Sequence, residues 1–283
     1  MATTIARTTI ASPKKRSEGL AITLRAMYVP RIIVGYGAFY GALIALLVVF
    51  IYPVMSSIHL GSYISSPAIS GLIGGHISSI NSFGNVIAIE LFSSIYGLIF
   101  GGIMAYISGA ALPLNIENGT LDLALARPIS RTRYYLETTL GVFASGILMG
   151  LFILFCVWIA SLFVNNPGID WQWAWITQLV QFAFFVFAIG IGLLIGSLVD
   201  ASRTAGGVAV GIIFLGYLIN IFGGVSTKFD WLLKIGPFYY APATDVFVLH
   251  QLTWWHPLVL VAAGLICGII GLVIFNRRDL PTV

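Results

Sequence analysis

An all-α membrane fold with six transmembrane helices is what this sequence predicts, on three observations. The 283-residue chain is 59% hydrophobic and only 8% charged, against about 25% charged in a soluble domain. Its mean hydropathy is +0.99. Its apolar residues gather in six continuous runs, each near the roughly 20 residues a helix needs to cross a hydrocarbon core. A soluble fold has too little interior to hide this much apolar surface, so most of the chain has lipid as its solvent. Runs this long, without alternation, argue against a β-barrel.

The first element is basic. Lys14, Lys15, Arg16, Arg25 and Arg31 precede the first apolar run. That run is too long for a signal peptide, and no small-residue cleavage site follows it. Within residues 1–31, "SEGLAITLRAMYVPR" puts Leu20, Leu24, Met27 and Tyr28 on one helical face. Ser17 can cap the start and Pro30 limits the end, so an interfacial helix on the cytoplasmic leaflet is expected.

Residues 32–283 read as one six-helix bundle, which makes the chain a single transmembrane domain. The spans are expected at Ile32–Met55, Val86–Leu112, Leu140–Phe163, Trp173–Val199, Gly206–Phe222 and Pro257–Phe275. Each holds a small-xxx-small pair: Gly37/Gly41, Gly97/Gly101, Gly146/Gly150, Gly192/Gly196, Gly207/Gly211 and Gly264/Gly268. Such pairs let helix backbones approach closely in lipid. Cys156 and Cys267 each lie inside an apolar run. They give neither a disulfide framework nor a metal spacing, and read as small fillers.

Orientation follows from the loops. Twelve of the fourteen Lys and Arg fall on one side; only Lys228 and Lys234 fall on the other. By the positive-inside rule, both termini and the connector between spans two and three are cytoplasmic. A long Gly- and Ser-rich loop without charge follows span one on the outer side. Before span six, "FDWLLKIGPFYYAPATDVFVLHQLTWWH" mixes aromatics with prolines. It reads as interfacial or re-entrant structure, which is tolerated where protein or water satisfies the backbone.

The connector "ENGTLDLALARPISRTRYYLE", Glu117 to Glu137, concentrates polar chemistry. It holds three of the fourteen Lys/Arg and three of the ten Asp/Glu. Thr120 can cap a short helix whose Leu121, Ala124 and Leu125 share a face. Pro128 disfavours helix at Arg127, and a new helix can start at Ser130. On charge alone, this is a positive-inside anchor for lipid headgroups or a rigid cytoplasmic helix shaped for a partner to push.

The order of residues, E-x-G-T-L-x-x-x-L-x-x-P-I-S-R-x-R-Y, resembles the connector after the second span in permease subunits of type-2 ATP-binding-cassette exporters. "IGPFYYAPA" (Ile235–Ala243) is similar to that family's Pro-aromatic motif before its last span, and "FNRRDL" (Phe275–Leu280) to its cytoplasmic ending. Glu137 stands where the family often has a lysine. The resemblance implies that Thr120–Ala126, with Leu121, Asp122 and Leu125, is a coupling helix seated on an ATP-binding subunit. Glu117, Gly119 and Thr120 would set its approach, and Arg127, Pro128, Ser130, Arg131 and Arg133 its exit. It further implies a second permease subunit, expected as a copy of this chain, with the pathway at the permease interface. The location implied is the cytoplasmic (inner) membrane, multi-pass. Export rather than import follows from the resemblance alone, and the cargo stays open among lipid, drug, peptide, glycan and small ion.

The chain carries no engine of its own. No Gly-x-x-x-x-Gly-Lys-Ser/Thr occurs, and none of its four lysines follows a glycine. Phosphate cradling needs that loop. ATP and Mg are therefore expected in the partner, with no cofactor or metal in this chain and no nucleic-acid partner. For the substrate pathway, Glu90 is a carboxylate near membrane depth, and Gln181 and Asn220 are polar groups within spans four and five. Amides such as Gln178 and Gln181 also serve as helix glue. The four histidines read as solvated loop residues, and Trp171, Trp173, Trp175, Trp254 and Trp255 as an aromatic belt. Two other classes stand beside transport driven by a partner. A membrane-embedded protease or acyl transferase needs a nucleophile with a base at one depth. An ion-coupled secondary transporter needs buried ionisable groups, for which Glu90 is the candidate.

Overall fold

The computed structural model describes residues 31–57, 82–93, 96–119, 129–225 and 230–278. Among the described residues the regular structure is helical, with no strand. In chain order the helices are α1 (Arg31–Ser57), α2 (Phe83–Glu90), α3 (Gly97–Glu117), α4 (Arg131–Ser161), α5 (Trp171–Leu198), α6 (Ser202–Val225), α7 (Asp230–Leu233), α8 (Ala243–Leu249) and α9 (Trp255–Arg277). Six of them, α1, α3, α4, α5, α6 and α9, are long and apolar enough to cross a membrane. The expected interfacial helix, the long loop after α1, and residues 120–128 of the connector lie outside the described residues.

Local chemistry sets several starts. Ser130 caps α4 by accepting the Arg133 N–H at 3.2 Å, and Asp170 caps α5 by accepting the Gln172 N–H at 2.9 Å. Ser82 caps α2 through the Asn85 N–H at 3.2 Å. Each side-chain oxygen satisfies a donor that the first turn leaves without a helical partner. With 31 residues, α4 is about 46 Å long at ~1.5 Å per residue, well beyond a ~30 Å hydrocarbon core. Its first turns can therefore stand clear of the lipid, at the end of the bundle that carries Arg131, Arg133, Arg203, Arg277 and Arg278. This is the basic end.

The second span departs from expectation. Val86–Leu112 was expected as one helix, but α2 ends at Glu90 and residues 91–93 turn. The chain re-enters helix through a π turn, Gly97–Gly101, that runs on into Gly102–Glu117. Hydropathy misses this break because α2 is apolar for a reason other than lipid. Phe83, Val86, Ile87 and Ala88 of α2 are buried against protein. Two half-helices are tolerated in an apolar setting when protein covers the freed backbone. The other spans hold, each starting earlier than expected; α4 starts at Arg131 rather than Leu140.

α5 is the hub. It packs against α9, α3, α6, α4 and α8, while α1 lies on α4 and α2. The contacts run through glycines. A Cβ at Gly264 would lie 2.5 Å from the Val186 carbonyl oxygen, and one at Gly190 would collide with the Gly264 carbonyl. A Cβ at Gly196 would lie 2.5 Å from the Gly109 carbonyl oxygen of α3. That carbonyl lacks the usual i+4 N–H donor, because the residue four places on is Pro113. Gly37 and Gly41 seat α1 against Met149 and Ile153 of α4. By contrast, Gly207, Gly211 and Gly268 have open space where a Cβ would stand. The expected small-residue pairs are thus used within the chain in four spans fully, in α9 by one member, and in α6 by neither.

The segment between α6 and α9 folds back onto the bundle at the end opposite the basic one. Pro237–Tyr240 forms a 3-10 turn that inserts Phe238, 5% exposed, against Phe184 and Tyr217. Phe247 of α8 stacks on Phe92 with centroids 5.2 Å apart. One histidine departs from the loop expectation. His256 lies in α9, packed among Tyr239, Tyr240 and Trp255. The aromatic belt is consistent with the exposure of Trp175, Trp254 and Trp255.

Candidate functional site

The basic end brings the two flanks of the connector together with three other helix ends. Glu117, the last residue of α3, reaches the first residue of α6. Its Oε1 accepts the Ser202 N–H at 2.7 Å and its Oε2 accepts the Ser202 hydroxyl at 2.6 Å. A carboxylate here meets the positive end of the α6 dipole and satisfies one of its unpaired N–H groups. Two residues on, Gly119 turns the chain with φ +63°, a conformation in which other residues are strained.

On the far flank, Arg131 opens α4. Its Nη1 donates to the Arg278 carbonyl at 2.8 Å, just past the end of α9. Asn276 donates to the Thr132 hydroxyl at 3.0 Å, and the Tyr135 hydroxyl donates to the Gly268 carbonyl at 2.8 Å. Three contacts along one stretch thus fasten the start of α4 to the end of α9. The Arg278 side chain then turns to the α5–α6 junction. Its guanidinium pairs with Asp200 and donates to the Ser197 carbonyl at 3.3 Å. Arg133 pairs with Glu137 one turn on, at 2.7 Å. Glu137 is 7% exposed, and its Oε2 has no hydrogen-bond partner.

Of the connector residues singled out from the sequence, Glu117, Gly119, Ser130, Arg131 and Arg133 therefore frame its two ends. Thr120, Leu121, Asp122, Leu125, Arg127 and Pro128 lie outside the described residues. Sequence reasoning missed Asp200, Ser202 and the side-chain role of Arg278. The signal in the sequence is only that Asp200 shares a short turn on the basic side with Arg203.

The pathway candidates do not form one cluster at the basic end. Gln181 of α5 is 2% exposed, and its Oε1 has no hydrogen-bond partner. One turn earlier on α5, Gln178 donates to the Tyr96 hydroxyl at 3.2 Å, with both residues buried. Glu90 ends α2 half-buried. Asn220 is buried in α6 and is engaged with a partner. Gln181 is thus the one of the three with a buried polar atom left open. Near the opposite end, Leu151, Leu154, Phe155 and Trp158 of α4 and Trp171 and Trp175 of α5 line an apolar cleft of about 390 Å³.

Residues 79–276 match the family model described as "Multidrug efflux system permease Rv1217c, C-terminal domain". No curated protein matches the chain.

Proposed function

This chain belongs to the multidrug efflux permease family represented by the Rv1217c C-terminal domain, and on that premise we propose that it is the permease subunit of a type-2 ATP-binding-cassette exporter. ATP, with Mg, is hydrolysed by a separate ATP-binding subunit. The connector segment Thr120–Ala126 seats on that subunit. Two copies of this chain pair in the cytoplasmic membrane, basic end inward, and cargo leaves between them.

The observation that carries the reading is the anchoring of both connector flanks. A lipid anchor needs only positive charge. Here the leading flank is hydrogen-bonded to α6 through Glu117, and the trailing flank to α9 through Arg131. A push on the connector would therefore reach four spans, not merely the two it joins. Charge without such anchorage would leave the push to be absorbed locally.

Affinity purification of the tagged chain in mild detergent tests this, with mass spectrometry of what accompanies it and an ATPase assay. The expected result is a stoichiometric ATP-binding subunit that is lost from the Glu117→Ala/Arg131→Ala double variant. A chain that purifies alone and supports no ATPase activity overturns the reading.

A further inference from the structure

The polar contacts at the basic end close on themselves. Glu117 holds Ser202. Asp200, two residues before Ser202, holds the Arg278 guanidinium, which also reaches Ser197. The Arg278 carbonyl holds Arg131. From Arg131 the chain leads back through the connector to Glu117. The ring thus takes in the ends of α3 and α4, the α5–α6 turn and the end of α9.

We infer that Arg278 and Asp200 are positioning residues for energy coupling: they tie the connector's exit to the α5–α6 turn, so that the cytoplasmic helix ends move as one body. This rests on the reading of the connector as the docking element for an ATP-binding subunit. The argument is geometric. Without the Arg278–Asp200 link, Arg131 still binds the end of α9 and Glu117 still binds the start of α6. With the Ser197 contact of the same guanidinium also lost, nothing among the ring contacts joins those two halves except the connector itself. Motion of one flank is then carried to the other by helix packing alone, without a polar link between the helix ends.

The same pair is poorly placed to hold the fold together. The Asp200 side chain is 75% exposed, and an ion pair open to solvent is screened and contributes little to stability. The Arg278 side chain is only 18% exposed, because it lies against the last turn of α5, where a cation meets carbonyls left unpaired by the helix end. An exposed carboxylate joined to a covered arginine is thus a link between helix ends rather than a core contact.

The test uses the chain co-purified with its ATP-binding subunit and reconstituted in proteoliposomes, with ethidium as the transported probe. For Asp200→Asn and Arg278→Gln, the expected result is wild-type complex yield, thermal midpoint and ATPase rate, with ethidium moved per ATP lowered about fivefold or more, the lower end of ordinary coupling energies. The exchange variant Asp200→Arg/Arg278→Asp restores part of that ratio, which a loss of folding would not do. An unchanged ratio in the single variants, with the complex intact, overturns this inference and leaves the proposed function standing. A wild-type chain with no ATP-binding subunit, or no ATP-dependent ethidium movement, overturns the proposed function, and the inference falls with it.

Discussion

The Glu117 carboxylate spends both oxygens on one residue, Ser202, accepting its backbone N–H at 2.7 Å and its hydroxyl at 2.6 Å. This joins the last residue of α3 to the first of α6, 85 positions later in the chain. Glu117→Ala removes both bonds and the charge that faces the α6 dipole. Glu117→Gln keeps one acceptor. The thermal midpoint in detergent, followed by size-exclusion chromatography, should fall for both variants and fall further for Ala. Equal midpoints for wild type and Ala would remove the cap from the account.

Gly190 and Gly268 should behave oppositely although both are helical glycines on the α5–α9 pair. A Cβ at Gly190 runs into the Gly264 carbonyl, which is backbone and cannot rotate away, whereas one at Gly268 meets nothing within 4 Å. Gly190→Ala should destabilise by about 1–3 kcal/mol, the usual cost of overpacking. Gly268→Ala should be neutral or stabilising, because Ala forms helix more readily than Gly by about 1 kcal/mol in exposed positions. Thermal unfolding of the two variants side by side checks the contrast.

Tyr96, the residue before α3, and Gln178 of α5 form a buried pair. Tyr96→Phe leaves the Gln178 amide without that partner. The expected cost is about 1 kcal/mol, in the range of polar pairs between membrane helices. The double variant Tyr96→Phe/Gln178→Leu should cost less than the sum of the two single changes, since no orphan amide is then left. An additive result in this cycle would mean that the two residues act separately.

Gln181 separates a structural amide from a working one. Its Oε1 is buried and has no hydrogen-bond partner, so replacement by Leu removes an unsatisfied polar group and should leave the thermal midpoint level or raise it. If the open oxygen meets cargo, the same variant loses ATP-driven ethidium efflux in proteoliposomes. A destabilised Gln181→Leu with normal efflux per folded molecule would return this residue to the role of helix glue.

Sequence alone determined the solvent, the number of membrane-crossing helices, and the concentration of polar residues at one connector. Those properties add up residue by residue. A run of about 20 apolar side chains is long enough to span whatever it packs against, and Ser130 caps α4 from three residues away without help from elsewhere. Family order along the chain pointed to a permease, and the match over residues 79–276 agrees. Other features needed the tertiary structure. Whether Val86–Leu112 crosses as one helix depends on what covers the turn at 91–93, and hydropathy counts a residue buried in protein the same as one facing lipid. Which glycines are used depends on what lies opposite, so Gly264 and Gly268 look alike in sequence and differ in the bundle. The ring from Glu117 to Arg278 joins residues far apart in sequence. Hydrogen bonds and ion pairs are short-ranged and directional, and only folding brought Asp200, Ser202 and Arg131 within reach of their partners.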